Sequence, residues 1–154
     1  MIRISTKTRY ALCALLEMAC TKDKKVFLLK DLSRHQNISR KYLEQIFHVL
    51  RQHKIVCSRV GKRGGFYLPA DLNNITILRI LEALEGRLDI VNCQKTWRNC
   101  ERIFFCPSRA IWQELNTTLR ELLASKNLGA LSQEKDIQKK CSFVVVRAAR
   151  RKKK

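Results

Sequence analysis

The stretches Ser39–Gln52, SRKYLEQIFHVLRQ, and Ile55–Leu68, IVCSRVGKRGGFYL, decide the fold of this chain. In the first, apolar residues recur at helical spacing and polar residues fill the opposite face, with Ser39 as a good N-cap. In the second, two β-rich runs flank a glycine turn that carries two cations, which is typical of a hairpin with a positively charged tip. The pattern therefore predicts an amphipathic helix followed by a basic hairpin.

Two further helices are predicted before this pair of elements. Leu12, Leu15, Leu16 and Ala19 follow helical spacing in a first helix, and the segment 28–35 forms a short second one. Helix, helix, polar-faced helix and hairpin is the order of a winged helix-turn-helix, in which the third helix enters the major groove and the hairpin reaches phosphates or the minor groove. An ordinary solvated face is the alternative for the polar side of the third helix.

The charge distribution favours DNA binding over that alternative. The formal net charge is +19, and residues 1–68 hold 15 lysines and arginines against 4 aspartates and glutamates. A field of one sign over one half of a chain favours a polyanion, and the sequence has no basic amphipathic helix with an aromatic face for a membrane surface. No segment has the length and apolar content of a membrane span or a signal peptide, so we expect a cytoplasmic protein. The sequence also lacks a Ser/His/Asp arrangement, paired-carboxylate motif and phosphate loop, so we do not expect an enzyme.

The second half of the chain contains two more predicted helices on either side of a cysteine-rich segment. The first is capped within 73–76 and stopped by Gly86, and the second has Pro107 at its first position, which makes Cys106 its N-cap. In the second, Trp112, Leu115, Leu119 and Leu122 recur at the spacing of a helix that packs along another helix. The partner helix is either in a second subunit or in the core of a monomer.

We expect a mainly α fold with a small β-hairpin wing, in three segments. Residues 1–70 form a winged helix-turn-helix DNA-binding domain, and residues 71–131 contain the short helix, the cysteine loop and a long C-terminal dimerisation helix. Residues 132–154 form a flexible basic tail, because its last eight residues carry six cations and no acid. The tail either adds nonspecific nucleic-acid affinity or is simply solvated.

Three of the seven cysteines, Cys93, Cys100 and Cys106, lie within the segment CQKTWRNCERIFFC. In a reducing compartment such thiols more often serve metals or redox chemistry than disulfides. The other four, at positions 13, 20, 57 and 141, are expected to be small buried hydrophobic residues.

The chain resembles the Rrf2 family of bacterial transcription regulators from Thr8 to about Leu131. The residues that carry the resemblance are ISRKYLEQIF at 38–47, the wing GGFYL at 64–68, and the cysteine loop followed by AIW at 110–112. The resemblance implies a homodimeric winged-helix regulator whose long C-terminal helix forms the dimer interface, with an iron–sulfur cluster in the preceding loop of many members. It places Tyr42, Glu44 and Gln45 against bases. The full set of candidate DNA-binding residues is Ser39, Arg40, Lys41, Tyr42, Glu44, Gln45, Arg59, Lys62 and Arg63.

The cysteine spacing suits an iron–sulfur cluster, of 2Fe-2S or 4Fe-4S type, better than a zinc ribbon, since it lacks the close C-x2-C pairs of zinc sites. A helix N-terminus at Cys106 would favour its thiolate form. The fourth ligand of the cluster is not identified by the sequence. Arg109 stands where cluster-binding relatives carry histidine, and Glu101 and His35 are the remaining candidates. Two alternatives remain, namely a cluster-free regulator switched by thiol oxidation or a partner protein, and a basic structural or RNA-binding protein.

Overall fold

The computed structural model describes residues 4–21, 26–61, 64–91 and 104–151, with the backbone alone for 143 and 146–151. The helices are α1 (Thr6–Cys20), α2 (Leu29–Gln36), α3 (Arg40–Gln52), α4 (Ile77–Glu85), α5 (Arg109–Ser125), α6 (Leu128–Gln133) and α7 (Lys135–Arg151). The strands are β1 (Cys57–Arg59) and β2 (Gly65–Tyr67), and a 3-10 turn spans Leu72–Asn74. The predicted fold class, mainly α with a small hairpin, is confirmed. No helix in these described ranges has the length and apolar content needed to cross a membrane.

The turn between α2 and α3 fixes the angle of the helix-turn-helix. Asn37 ends α2 in the left-handed conformation, with φ of 55°, and the N–H of Ile38 donates to the carbonyl of Ser33. Asparagine tolerates this conformation better than most residues. Two residues later the Ser39 hydroxyl accepts from the backbone N–H of Tyr42 at 3.2 Å and starts α3. One short turn therefore ends the first helix and begins the second.

The wing is a two-stranded antiparallel hairpin that packs against α3. Cys57 pairs with Tyr67 and Arg59 with Gly65, while Phe27 forms an isolated bridge to Phe66 on the other edge. The Phe66 ring meets that of Phe47 edge-on, with centroids 5.0 Å apart. These contacts fix the position of the hairpin relative to the third helix.

One hydrophobic core spans the predicted boundary between residues 70 and 71. Its centre contains Leu15 of α1, Phe47 of α3, Ile80 of α4 and Leu128 of α6, all fully buried. The segment 126–128 also bonds to the start of α4, where the Ile77 N–H donates to the Lys126 carbonyl at 2.9 Å. Helices α1 and α3 therefore share one packing unit with α4 and α6, and the three-segment division stays a prediction.

The C-terminal segment corrects one expectation. Residues 132–154 were expected to form a flexible tail, but Lys135–Arg151 form helix α7, which packs against α1, α2 and α6. The Gln138 side chain donates to the Ser132 carbonyl at 2.9 Å and holds the start of α7 against α6. The expectation of a flexible tail was wrong because the segment before the charge block contains partly buried apolar residues, including Ile137 and Val144, on a helix that packs against others.

Candidate DNA-binding face and cysteine loop

Helix α3 divides into a buried face and an exposed polar face. Leu43, Ile46, Phe47 and Leu50 are fully buried, as their spacing predicts. The exposed side carries Arg40, Lys41, Glu44, Gln45, His48 and Arg51. Because only the buried face of α3 packs against the core, the exposed face can contact a ligand along the whole length of the helix.

Ser39 and Tyr42 have structural roles at the start of α3. The Ser39 hydroxyl caps the helix, and the half-buried Tyr42 ring packs edge-on against Tyr10 of α1, with centroids 6.2 Å apart. This contact fixes the first turn of α3 against α1. Base contact by Tyr42 stays a prediction, and the exposed part of its ring would make that contact.

The exposed cations on this face are held only weakly. Arg40 Nε lies 2.8 Å from Glu44 Oε1, with both side chains well exposed. Such surface pairs contribute about 0–1 kcal/mol. Little free energy is therefore lost when Arg40 exchanges its pairing with the Glu44 carboxylate for one with a phosphate oxygen. The roles of Arg40, Lys41, Glu44 and Gln45 at DNA stay predictions.

The wing carries an exposed arginine at the end of its first strand. Arg59 ends β1, and the following Gly61 has φ of 119°, which favours glycine and lets the chain turn sharply. Gly65 lies so close to Phe27 that a Cβ atom would sit 2.5 Å from the Phe27 carbonyl oxygen. Lys62 and Arg63 fall outside the described residues, so their predicted phosphate contacts remain predictions.

Arg51 is a residue of this face that the sequence analysis missed. Its guanidinium donates to the Ser58 hydroxyl at 3.4 Å and so connects the end of α3 to β1. It also lines a groove with Lys30 of α2, Arg40 of α3 and Phe66 of β2. The signal was present in the sequence, because Arg40, Glu44, His48 and Arg51 follow helical spacing along one face.

Cys106 is the one cysteine of the predicted cluster site within the described residues, since Cys93 and Cys100 lie outside them. It is half-buried, and its sulfur lies 3.4 Å from the Ser108 hydroxyl. Hydrogen bonds from the Ser108 hydroxyl and from the backbone N–H groups of Ser108 and Arg109 lower the pKa of the Cys106 thiol. The structure thus favours the thiolate, which is the form that binds metal.

The predicted cap at Cys106 is wrong in position. Helix α5 begins at Arg109 rather than Pro107, and its N-cap is Ser108. Residues 104 and 105 and 107 and 108 form turns, so Cys106 lies before the helix, where its carbonyl accepts from the Arg109 N–H at 3.3 Å. The Ser108 hydroxyl also accepts from the Trp112 indole at 3.1 Å. Ser108 therefore connects the cysteine to the first turn of α5.

The candidates for a fourth ligand are narrowed by the structure. His35 contacts the buried carboxylate of Glu17 through Nδ1 inside the helix-turn-helix, so it is already engaged there. Glu101 lies outside the described residues. Over the described ranges, no group of three histidine, cysteine, aspartate or glutamate side chains could hold a metal ion.

The residues predicted to form a dimer interface divide into two groups. Leu115 and Leu122 remain 43% and 55% exposed and lie beside Ile111, which is 48% exposed, on one stripe of α5. Trp112 and Leu119 are half-buried at its border, towards the protein interior. The chain therefore leaves an apolar stripe exposed along the 17-residue helix α5.

Polar contacts connect α5 to the end of α3 through α4. The Asn116 side chain, which is buried, accepts from the Ile90 N–H at 3.3 Å, just before the cysteine loop. Arg120 of α5 pairs with Glu82 of α4 at 2.6 Å. Arg79, one turn earlier on α4, donates to the His53 carbonyl at 3.0 Å, where α3 ends.

Comparisons with known proteins agree with this architecture. Residues 4–134 match the Rrf2 family, described as iron-dependent transcriptional regulators. The HTH-type transcriptional regulator IscR of Sodalis glossinidius is 32% identical over 136 residues, which cover 88% of this chain and 82% of the relative. CymR, the global cysteine regulator of B. subtilis, superposes with a TM-score of 0.71 at 31% identity, covering 86% of this chain and 97% of that one. IscR of T. potens superposes with a TM-score of 0.64 at 28% identity, covering 82% and 83% of the two chains.

Proposed function

Because the chain belongs to the Rrf2 family of transcriptional regulators, we propose that it is a homodimer whose affinity for a specific operator is controlled by an iron–sulfur cluster. Its relatives are transcriptional regulators and not enzymes, and they are DNA-binding proteins. This family membership sets aside the alternative of a basic structural or RNA-binding protein. A regulator of this class acts on the chromosome, in the cytoplasm.

The observation that carries the proposal is the exposed polar face of α3 beside the wing. Gln45 and Arg40 lie on the side of the helix that does not pack against the core. On the hairpin, the exposed Arg59 pairs with Gly65, which lines a groove together with Arg40. A glutamine amide suits the paired donor and acceptor of adenine in the major groove, and an arginine on the wing suits phosphate. In this docking, α3 reads bases and the hairpin sets the register on the DNA backbone.

The apolar stripe on α5 supports homodimerisation. The exposed side chains of Ile111, Leu115 and Leu122 have no cover within the described part of the protomer. A second copy of the same stripe is a self-complementary partner, as a twofold axis requires. Two α3 helices would then face successive major grooves, about one DNA turn apart.

Cys93, Cys100 and Cys106 would hold the cluster. The described residue fits that role, because Cys106 is partly accessible and hydrogen bonds at the start of α5 lower its pKa. The description of the family as iron-dependent supports the same assignment. When bound, a cluster supplies a crosslink among the three thiolates that depends on iron and redox state.

Contacts within the protein would couple the state of the cluster to DNA binding. Ser108 bonds both Cys106 and Trp112, so the end of the loop is attached to the first turn of α5. The Arg120 pair with Glu82 and the Arg79 bond to the end of α3 continue the connection through α4. Binding of a cluster by these cysteines would thereby alter the position of α5 and, through α4, that of the recognition helix.

Anaerobic purification tests the cluster. We expect visible absorption, with iron and acid-labile sulfide in stoichiometric amounts, all lost in the triple Cys93→Ala, Cys100→Ala, Cys106→Ala variant. Operator affinity should then differ between loaded wild type and this variant. A colourless, iron-free wild type whose triple variant regulates normally would exclude the cluster.

The route through α4 has its own test. Arg79→Gln removes the bonds to the end of α3, so the difference in operator affinity between loaded and cluster-free protein should shrink towards none. Lys126→Gln, at an exposed position just after α5, serves as the control and should leave that difference intact. If both variants keep the full difference in operator affinity, the bonds of Arg79 do not couple the cluster to the recognition helix.

A cluster-free thiol switch is the second candidate. The lowered pKa of Cys106 favours oxidation of its thiolate as well as metal binding. It predicts iron-free protein whose operator affinity changes on mild oxidation and recovers with a thiol reductant. Loss of that response in Cys106→Ser alone would favour this candidate over the cluster.

A further inference from the structure

Three cysteines outside the cysteine loop gather where α7 packs on α1. Cys13 and Cys20 lie two turns apart on the same side of α1, and Cys141 of α7 is close enough to both for their charges to interact. None of the three is fully buried: Cys13 is exposed, and Cys20 and Cys141 are half-buried. This corrects the expectation that they are small buried hydrophobic residues.

Cys20 and Cys141 lie at the same contact between α1 and α7. The Cys20 sulfur is 3.9 Å from the Ser132 carbonyl, which accepts at 2.9 Å from Gln138, one turn before Cys141 on α7. Of the two cysteines on α1, Cys20 affects the Cys141 thiol more than Cys13 does. A shared carbonyl therefore holds the two helices together on one side of the sulfur pair.

The neighbouring acid does not turn this group into a metal site. Both carboxylate oxygens of Glu17 are engaged by α2, one by His35 and the other by the Gln36 amide at 2.6 Å. No set of three potential ligands in the described ranges has metal-binding geometry. What remains is a dithiol with an orienting carbonyl beside it.

We propose that Cys20 and Cys141 form a reversible disulfide that fastens α7 to α1 when the protein meets a peroxide. The inference goes beyond the regulation proposed above, because it involves neither the cysteine loop nor DNA. The helix that carries Cys141 begins at residue 135, just after the region matched by the family ends at 134. The switch is thus a feature of this chain's own C-terminal helix.

The chemistry assigns different roles to the two sulfurs. Burial, the interaction with Cys20 and the nearby negative charges raise the pKa of Cys141 to about 12, so it stays a thiol at neutral pH. Cys20 is therefore the attacking sulfur: its thiolate breaks the peroxide O–O bond, becoming sulfenic acid and releasing hydroxide, which takes up a proton to form water. Cys141 then displaces hydroxide from that sulfur and loses its own proton, giving the disulfide and a second water. Overall, two thiols lose two electrons to one peroxide.

The bond would change how α7 is held. In the reduced protein the junction near Cys20 depends on the Gln138 bond and on packing, whereas the disulfide is covalent. Because α7 also packs on α2, a fixed α7 would stabilise the helix that precedes the recognition helix. The expected physical sign is slower amide hydrogen exchange over 135–145 in the oxidised protein.

Peptide mapping after hydrogen peroxide treatment tests the proposal on the full, cluster-free chain. We expect a peptide pair joined between Cys20 and Cys141, released by a thiol reductant and absent from Cys20→Ser and Cys141→Ser. The control variants Cys13→Ser and Cys57→Ser should form it as the wild type does. Amide exchange over 135–145 should slow at least severalfold on oxidation of the wild type, and not in Cys141→Ser.

Other outcomes would overturn the proposal. A crosslink between Cys13 and Cys141 in the wild type, or peroxide products that are only sulfinic and sulfonic acids on single cysteines, would exclude the pair. Mapping needs no folded double variant, so a destabilised substitution does not affect the result. Failure here leaves operator binding and cluster content unchanged, which separates it from failure of the proposed regulation.

Discussion

Replacing Leu115 and Leu122 by alanine should dissociate the homodimer. About half of each residue's surface remains exposed in the protomer, and full burial of a leucine side chain contributes about 1.5–3 kcal/mol. Covering the exposed half therefore contributes about 1 kcal/mol for each residue. A twofold dimer contains each residue twice, so the double variant loses about 4 kcal/mol, which is roughly a thousandfold rise in the dimer Kd.

Sedimentation velocity over a dilution series measures this change. Both leucines lie outside the core, so the variant should keep the helical content of the wild type, while its thermal unfolding loses the stabilisation that association gives the wild type. The control is the pair Gln113→Ala and Thr117→Ala, exposed positions on another face of the same helix. A wild type that is monomeric at all concentrations, or a leucine variant whose Kd stays within about threefold of the wild type, would refute the reasoning.

Further predictions concern the DNA face, the cysteine and the core. Gln45→Ala should relax base preference at one operator position by about 1–3 kcal/mol, while Arg59→Ala weakens all sequences alike and lowers the salt slope by roughly one; identical effects would contradict the docking. Ser108→Ala removes the main cause of the lowered Cys106 pKa, so the midpoint of Cys106 alkylation in metal-free protein should move to higher pH, as read by mass spectrometry. Glu17→Ala leaves His35 and Gln36 without their buried partner and should lower the urea-unfolding free energy by about 2–4 kcal/mol, whereas the exposed Glu121→Ala should not.

The helix-turn-helix and the wing could be predicted because local signals agree there. Ser39 marks the start of a helix, the buried face of α3 keeps a strict helical spacing, and glycines surround the wing turn. The end of α4 could also be predicted from the sequence, because Gly86 ends the helix with φ of 81°. In each of these elements, the residues that determine the local structure lie within or next to that element in the sequence.

The parts that could not be predicted depend on distant partners. The pairing of Glu17 with His35, and the bond from Arg79 to the end of α3, join residues with no pattern connecting them along the chain. Helix α7 was hidden because a strong cationic end masked a weaker apolar pattern before it. The start of α5 was misplaced by two residues, since Pro107 falls in a turn ahead of the helix.

The division of α3 into two faces also bears on how regulators of this kind diversify. Packing uses Leu43, Ile46, Phe47 and Leu50, while Lys41, Gln45 and His48 take no part in the core. Substitutions at the second set are therefore nearly neutral for stability and can drift or be selected separately. In the docking proposed above, an ancestral scaffold could acquire new target promoters by changing a few surface codons. The same docking would make this helix a graft site for retargeting the protein in synthetic circuits.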